Sequence, residues 1–219
     1  MKNIIRILFC SAILIWTTNV KAEVTFGVSA GLTQISADGS ETEGGEKTNK
    51  SVDNVVVIPS LFAEYAFSDS ISLGLDIIPM SADVSDKTHS RTDVERSVTG
   101  TNTETSTSRT QKADAELKNH ITVYGTYMLS DTVYFKGGIA SVTLETNESL
   151  GTGSKYGNED IYGTVIGFGG QNGNIRFEIT YTDYEDISLT SSVARTGVTT
   201  NNKIEADLDA LALRVSYLF

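Results

Sequence analysis

The last nine residues of the chain, Leu211-Ala-Leu-Arg-Val-Ser-Tyr-Leu-Phe219, alternate between two kinds of side chain. Every odd position from Leu211 to Phe219 is apolar or aromatic, whereas the even positions include Arg214 and Ser216. A period of two predicts a β-strand whose faces meet different environments. At about 3.3 Å per residue and a tilt near 40°, the apolar face covers roughly 22 Å, close to the ~25 Å lipid band of a membrane barrel.

Seven earlier segments show the same alternation, and no segment shows a helical stripe. The segments are 24–33, 60–67, 71–77, 120–129, 133–139, 162–169 and 175–181. Turn residues at 68–70, 130–131 and 171–174 form short connections, and the other connections are long and polar. We therefore predict an all-β fold, an eight-stranded antiparallel up-and-down transmembrane barrel with short periplasmic turns and long extracellular hairpin loops.

The four long connections cover residues 36–54, 81–114, 147–160 and 190–204. If each is a hairpin, its tip lies midway between the strand ends, which places the tips at Gly44–Gly45, Gly100, Gly151 and Gly197. The 81–114 connection holds 14 Ser and Thr residues, so its composition also fits disorder. Alternation of β-branched Thr from Thr99 to Thr107 favours a hairpin.

The first 22 residues have the pattern of a cleaved signal peptide. Basic residues precede an apolar core, and Val20-Lys21-Ala22 suits cleavage before Glu23, which leaves 23–219 as the barrel. The whole chain has a net charge of −11, and loss of three positive charges makes it −14. This charge argues against a nucleic-acid partner. Because Cys10 lies in the signal, the mature chain has no thiol for a disulfide or a thiolate metal site.

The terminal pattern Leu213-x-Val215-x-Tyr217-x-Phe219 resembles the C-terminal signal of Gram-negative outer-membrane proteins, which the barrel-assembly machinery reads. With the signal peptide and eight strands, the chain resembles the small barrels of the opacity-protein and OmpA/OmpX-like group. The resemblance implies location in the cell outer membrane, among lipid and lipopolysaccharide. It does not decide activity, because the group contains adhesins, anchors, narrow pores and enzymes.

Six charged residues are predicted to point into the barrel near its middle. They are Glu64, Asp76, Lys136, Arg176, Glu178 and Arg214. An isolated charge in a narrow interior is expensive, so three acids and three bases predict a plug of ion pairs. The alternative is a narrow ion path through the same network.

Two prolines and six aromatic residues mark levels of the predicted barrel. Pro59 and Pro79 each lie ten residues from Asp69, which places them together near the extracellular edge of the lipid band, where a break in the ladder is tolerable. The predicted lower aromatic girdle is Phe67, Phe135, Phe168, Phe177, Tyr217 and Phe219.

The leading functional prediction is a structural or interaction role through the extracellular loops, with an unknown extracellular partner and a monomeric state. A narrow small-solute channel is the alternative. A lipid-modifying enzyme is a weaker one, because His120 shares a face with Thr122 and Tyr124 but no acid is placed to orient the imidazole. We therefore predict no enzyme activity, no cofactor and no resident metal.

An acidic patch is predicted on the outer wall above the lipid band. A pairing of Ile175 with Phe219 would place Asp183 opposite Leu211 and Glu185 opposite Asp209. Asp207 lies on the same face. These carboxylates suit Ca²⁺ or Mg²⁺ bridging to lipopolysaccharide phosphates, or else form a solvated acidic rim with no specific ion.

Deletion of Phe219 should impair assembly, because it removes the aromatic end of the C-terminal signal. The measurement is outer-membrane yield and heat-modifiable mobility of the truncated protein beside the full chain. Normal values for both would contradict the role given to the terminal pattern.

Overall fold

The computed structural model describes residues 23–43, 45–85, 88–99, 103–149, 155–192 and 201–219. The predicted signal peptide and the tip residues Gly44, Gly100, Gly151 and Gly197 lie outside the described residues. Among the described residues, no helix is long and apolar enough to span a membrane.

The described chain forms eleven antiparallel strands that close into a ring. They are β1 (Glu23–Glu43), β2 (Glu46–Ala66), β3 (Ile71–Ile78), β4 (Ala82–Asp83), β5 (His89–Thr99), β6 (Thr103–Met128), β7 (Val133–Ser149), β8 (Asn158–Asn172), β9 (Ile175–Tyr184), β10 (Ile187–Thr190) and β11 (Lys203–Leu218). Eight of them form the wall in the order β1-β2-β3-β6-β7-β8-β9-β11, and β11 pairs with β1 to close it. The short strands β4 and β5 pair with β6, and β10 pairs with β11, so they extend the wall upward. The predicted eight-stranded antiparallel barrel is confirmed.

The long connections are largely extensions of the strands. The β1–β2 ladder runs without interruption from Glu23 opposite Ala66 to Glu43 opposite Glu46, which places its tip where the sequence predicted it. Gly45 takes φ +92° there, a backbone conformation that L side chains rarely adopt. In the 81–114 connection, β5 and β6 form a hairpin up to the pair Thr99 and Thr103, so the hairpin prediction is correct for these residues.

The apolar positions of the wall face outward. Leu213 is 57% exposed, Phe177 62% and Val57 69%, whereas polar residues such as Asp76 are buried inside. Aromatic pairs lie edge to face at the lower rim, with ring centroids 4.8 Å apart for Tyr65 and Phe67. All six residues of the predicted lower girdle are exposed. An outer surface this apolar is suited to hydrocarbon and not to water.

Two glycines on the inner wall make room for tyrosine rings. A Cβ atom added to Gly74 would overlap the ring of Tyr124, and one added to Gly169 would overlap the ring of Tyr134. Because neither position has a side chain, both tyrosines can lie across the interior of a narrow barrel.

A β-bulge in β6 changes which residues face inward. The pairing of β6 with β7 shifts between Lys118 and Ile121, and Asn119 takes φ +54°. Leu117 is buried above the bulge, and Thr122 and Tyr124 are buried below it, so the inward positions change from odd to even numbers. The bulge thereby directs His120 toward the interior.

The interior has two layers of different character. Its lower layer is polar, as the sequence predicted. Its upper layer is an apolar cluster, which the sequence analysis did not predict. The members of this upper apolar cluster are Ile35, Val84, Leu117, Ala140, Val142, Leu144, Ile161, Val165, Tyr184, Ile187, Leu189 and Leu208. Above the lipid band the outer wall meets water, so apolar residues occupy the inward positions there and pack together.

The wall has a break between β2 and β3 at the two prolines. Their ladder ends at the pair Leu61 and Ile77, and the same register would set Pro59 opposite Pro79. Proline has no N–H to donate, so the ladder does not continue there. Higher up, Asn54 Nδ2 donates to the Asp83 carbonyl oxygen at 2.8 Å, a side-chain contact in place of a ladder bond.

Candidate functional site

The structure brings all six predicted lumen charges together in the lower layer. Arg176 and Glu64 make a two-bond ion pair, with Nη1 donating to Oε1 at 2.5 Å and Nη2 to Oε2 at 2.8 Å. Arg176 also donates to the side-chain oxygen of Gln171 at the periplasmic end. A bidentate pair of this kind fixes the relative orientation of the two side chains and pairs their opposite charges.

A second pair lies beside the first. Lys136 Nζ donates to Glu178 Oε1 at 2.9 Å, and both side chains are about 95% buried. The Tyr134 hydroxyl donates to the other oxygen of Glu178 at 2.8 Å. The Tyr124 hydroxyl donates to Glu64 Oε1 at 2.8 Å, and its ring lies 3.9 Å from Lys136 Nζ.

Arg214 forms the upper edge of the network. Its Nη2 lies 2.5 Å from Asp76 Oδ2 and donates to Ser29 Oγ at 2.7 Å and to Ser60 Oγ. Its Nη1 lies 3.9 Å from Glu178 Oε1. The sequence analysis missed the two tyrosines and two serines of this network, although each has the inward parity of its strand.

The network has a structural consequence for the lumen. Three acids and three bases balance in charge, and each hydrogen-bonded ion pair joins two strands that are not neighbours in the wall, so the pairs cross the interior. Asp76 is 2% exposed and Lys136 3%, so these paired groups are shielded from bulk water. Removal of one partner would leave an uncompensated buried charge, which is costly.

The enzyme-like arrangement of His120, Thr122 and Tyr124 is not assembled. His120 Nε2 lies 3.0 Å from the Tyr184 hydroxyl, and the Tyr124 hydroxyl is committed to Glu64. Within the described part of the chain, no carboxylate hydrogen-bonds to the imidazole, and its buried Nδ1 has no partner. A general base needs such a partner to fix its tautomer, so the geometry offers no catalytic triad here.

A cavity of about 80 Å³ separates the polar network from the upper apolar cluster. Lys136 and Arg214 lie at its lower side, and His120 and Tyr184 at its upper side. Four inward threonines, Thr33, Thr122, Thr180 and Thr182, contribute to its wall.

The outer acidic patch exists in part, with a different register. Asp183 lies opposite Asp209, and not opposite Leu211 as predicted, because β9 begins with Ile175 opposite Tyr217. Phe219 extends past the start of β9 and donates its backbone N–H to the Phe26 carbonyl of β1. The predicted pairing of Ile175 with Phe219 was therefore wrong by two residues.

Glu185 also departs from the prediction. It follows the end of β9, and its Oε1 accepts the backbone N–H of Tyr162 on β8 at 3.1 Å, on the side away from Asp209. Instead, Asp38 on β1 lies opposite Asp207, and Asp53 on β2 lies one strand further. Within the described residues, no group of three or more acids, histidines or cysteines is arranged to hold a metal ion.

Replacement of Arg214 by alanine should lower the free energy of unfolding by about 3 to 5 kcal/mol, because it leaves Asp76 buried without its partner. The measurement is equilibrium unfolding of the purified barrel. In a double-mutant cycle, Arg214→Ala and Asp76→Ala should couple more strongly than Arg214→Ala and Glu178→Ala, because Asp76 lies closer. Additive effects in the Asp76 cycle would show that the two groups do not interact.

The patch also gives a pH prediction. Partial burial, together with the carboxylates of Asp183, Asp38 and Asp53, raises the pKa of Asp209 above its ordinary value of 3.8. The folded state then binds more protons than the unfolded state just above that value, so this group's effect on stability becomes less favourable as pH rises. Asp209→Asn should therefore stabilise the protein at neutral pH, and the gain should fade below pH 3.8.

The control is Asp131→Asn, the same change in the exposed β6–β7 turn. An equal gain in stability for Asp209→Asn and Asp131→Asn, or a gain that persists in acid, would contradict repulsion among these carboxylates.

A double variant, Asp207→Asn with Asp209→Asn, tests the cation hypothesis. If Ca²⁺ screens the patch, millimolar Ca²⁺ should stabilise the parent in lipopolysaccharide more than this variant. Equal shifts would contradict it.

Comparison with known proteins gives structural matches alone. No family model matches the sequence, and no curated protein matches it. The outer membrane protein OprG from Pseudomonas aeruginosa matches with a TM-score of 0.54 at 15% identity, over 93% of this chain and 99% of that one. AlkL, solved in lipid bilayers, matches with a TM-score of 0.52 at 12% identity, over 94% of each chain.

A third match, the attachment invasion locus protein Ail of Yersinia pestis, has a TM-score of 0.46 at 15% identity over 90% of this chain and 99% of that one. At these identities the likeness concerns the fold. The closed ring, the apolar outer belt and the two matches above 0.5 agree with the resemblance inferred from the C-terminal pattern. The chain therefore has the fold of the small eight-stranded outer-membrane β-barrel proteins.

Proposed function

We propose that this barrel is a cell-surface protein of the outer membrane that acts through its extracellular hairpins, as an adhesion or anchoring type of interaction protein. The observation that carries the proposal is the height of the β5–β6 hairpin. β6 last pairs with β7 at Lys112 and Ser149, and its hairpin with β5 continues to Thr103. Nine further residues at about 3.4 Å each give roughly 30 Å of ladder beyond that point.

The shorter hairpins around the barrel rim are joined to one another by direct contacts. The Tyr156 hydroxyl before β8 donates to Glu41 Oε1 of β1 at 2.8 Å. The backbone N–H of Lys155 donates to Ser192 Oγ at 3.0 Å, and that of Ser192 to the Lys155 carbonyl at 2.8 Å. These contacts fix the shorter hairpins relative to one another, and a preorganised surface suits binding to a partner.

The interior favours this role over the channel alternative. The ion-pair network fills the lower lumen, and the upper apolar cluster packs Ile35, Val142 and Ile161 to 1% exposure above the cavity. An ion would have to pass both a neutralised polar plug and an apolar layer. The non-enzymatic role is part of the proposal, since His120 lacks an orienting acid among its described contacts.

The proposal includes the membrane surroundings of the barrel, its export and its oligomeric state. The C-terminal pattern suits recognition by the barrel-assembly machinery, and the apolar belt suits outer-membrane lipid below a rim in contact with lipopolysaccharide. The signal-like sequence of 1–22 supports export, and the closed ring of the barrel is compatible with a monomer.

The test compares Gram-negative cells that display the full chain with cells that display a variant in which residues 90–111 are replaced by Asn-Gly. The barrel of the variant should form, as judged by heat-modifiable mobility, because the deleted ladder lies above the wall. Adhesion of the cells to protein-coated surfaces, or their aggregation, should rise with the full chain and return to background with the variant. Purified full chain should give no conductance steps in planar bilayers.

A matched control keeps the full length of the chain and exchanges Thr92, Ser108 and Thr110 for Ala, which retains the hairpin. Equal adhesion by the full chain and the deletion variant would contradict the proposal. Discrete conductance of the folded full chain would favour the channel instead.

A further inference from the structure

We propose that the cavity between the polar network and the upper apolar cluster binds the carboxylate end of a single-chain amphiphile, such as a free fatty acid, whose alkyl chain leaves through the wall break into the surrounding lipid. The inference goes beyond the proposed surface role. It is carried by the chemistry of the cavity wall and by the position of the break.

The lower side of the cavity is cationic. Lys136 and Arg214 line it, and none of the described lining residues is acidic; the carboxylates of Glu178 and Asp76 are the hydrogen-bond partners of these two cations. An ammonium has three N–H donors, and Lys136 makes one hydrogen bond to Glu178 among the described residues. Donors therefore remain for an anionic acceptor that enters from above.

The side and upper walls add neutral donors. Thr33, Thr122, Thr180 and Thr182 line the cavity with hydroxyl-bearing side chains. His120 lines it as well, and its buried Nδ1 has no partner, although buried polar atoms in proteins are nearly always hydrogen-bonded. An unpaired buried nitrogen beside an acid-free cavity is accounted for by a polar ligand or by water in that space.

The apolar part of the cavity faces the break in the wall. Ile58 on β2 and Ile78 and Met80 on the opposite side of the break all line it. Met80 is also 51% exposed on the outer surface, so one side chain reaches both the cavity and the lipid side. The outer rim of the break is apolar, with Val55 58% and Val57 69% exposed.

The size and level of the site select the occupant. A cavity of about 80 Å³ accepts a carboxylate and the first carbons of a chain, whereas a phospholipid head group with its glycerol is larger. The break lies at the level of lipid-facing Leu213, since Val57 lies opposite Leu32 and Leu32 opposite Leu213. An alkyl chain that leaves there enters hydrocarbon and not water, which favours an amphiphile over a free polar solute.

The test uses the full chain in phospholipid nanodiscs with a photoreactive fatty acid that carries a diazirine near its carboxyl end. Mass spectrometry should locate the label on residues 58–60 and 78–82. Laurate should displace the probe at about a tenfold lower concentration than dodecanol, because charge-assisted hydrogen bonds are stronger than neutral ones. Equal displacement by the two, or label spread evenly along the outer wall, would overturn the proposal.

Two further arms separate alternative occupants and folding effects. A phospholipid that carries the diazirine on its acyl chain should leave 58–60 and 78–82 unlabelled; labelling equal to that by the fatty acid would overturn the proposed carboxylate specificity. Ala212→Leu fills the cavity and should abolish the label, while Ala30→Leu, which adds the same bulk on the lipid-facing side of β1, should retain it. If Ala212→Leu does not fold, the comparison of laurate with dodecanol on the parent protein decides.

Discussion

Backbone hydrogen bonding in hydrocarbon is the constraint on which this structure depends. Every N–H and C=O in the lipid band must find a partner within the protein, since lipid offers none. The ladder between β1 and β11 meets this requirement by joining the first and last wall strands from Gly27 and Leu218 upward. Closure then fixes an inside and an outside, and the alternation of side chains assigns each residue to one of them.

A narrow closed barrel must also fill its own interior. The inner residues of the lower half are charged, and they remain buried because each acid meets a base and the tyrosine hydroxyls occupy further carboxylate lone pairs. Glycines at positions 74 and 169 supply the volume that the rings of Tyr124 and Tyr134 occupy. The polar network and the two glycines therefore fill the lower interior together.

Above the lipid band and at the prolines, the wall and its interior differ from this arrangement. Where the wall rises into water, apolar residues occupy the inward positions, and β6 changes its inward parity through the bulge at Asn119. At Pro59 and Pro79 the ladder stops while the wall is still in the lipid band, and exposed apolar side chains such as Val57 and Met80 lie beside the break. A ladder break is tolerable there because β1 still pairs with the whole of β2, and five residues above Pro59 the Asn54 side chain bonds to the Asp83 carbonyl.

The sequence by itself determined the number of wall strands, the outward direction of Leu213 or Phe177, and the inward direction of all six lumen charges. These follow from local periodicity, and a period of two decides the face without knowledge of the register. Only the tertiary structure decided which acid meets which base, that Asp183 faces Asp209, and that Glu185 turns to β8. A pairing register depends on both strands and on the turn between them, so an error of two residues at Phe219 preserves every face and changes every partner. The upper apolar cluster and the cavity beneath it likewise needed the fold, because the cluster joins residues of many strands and because the bulge at Asn119 reverses the parity of β6 and so brings Leu117 inside.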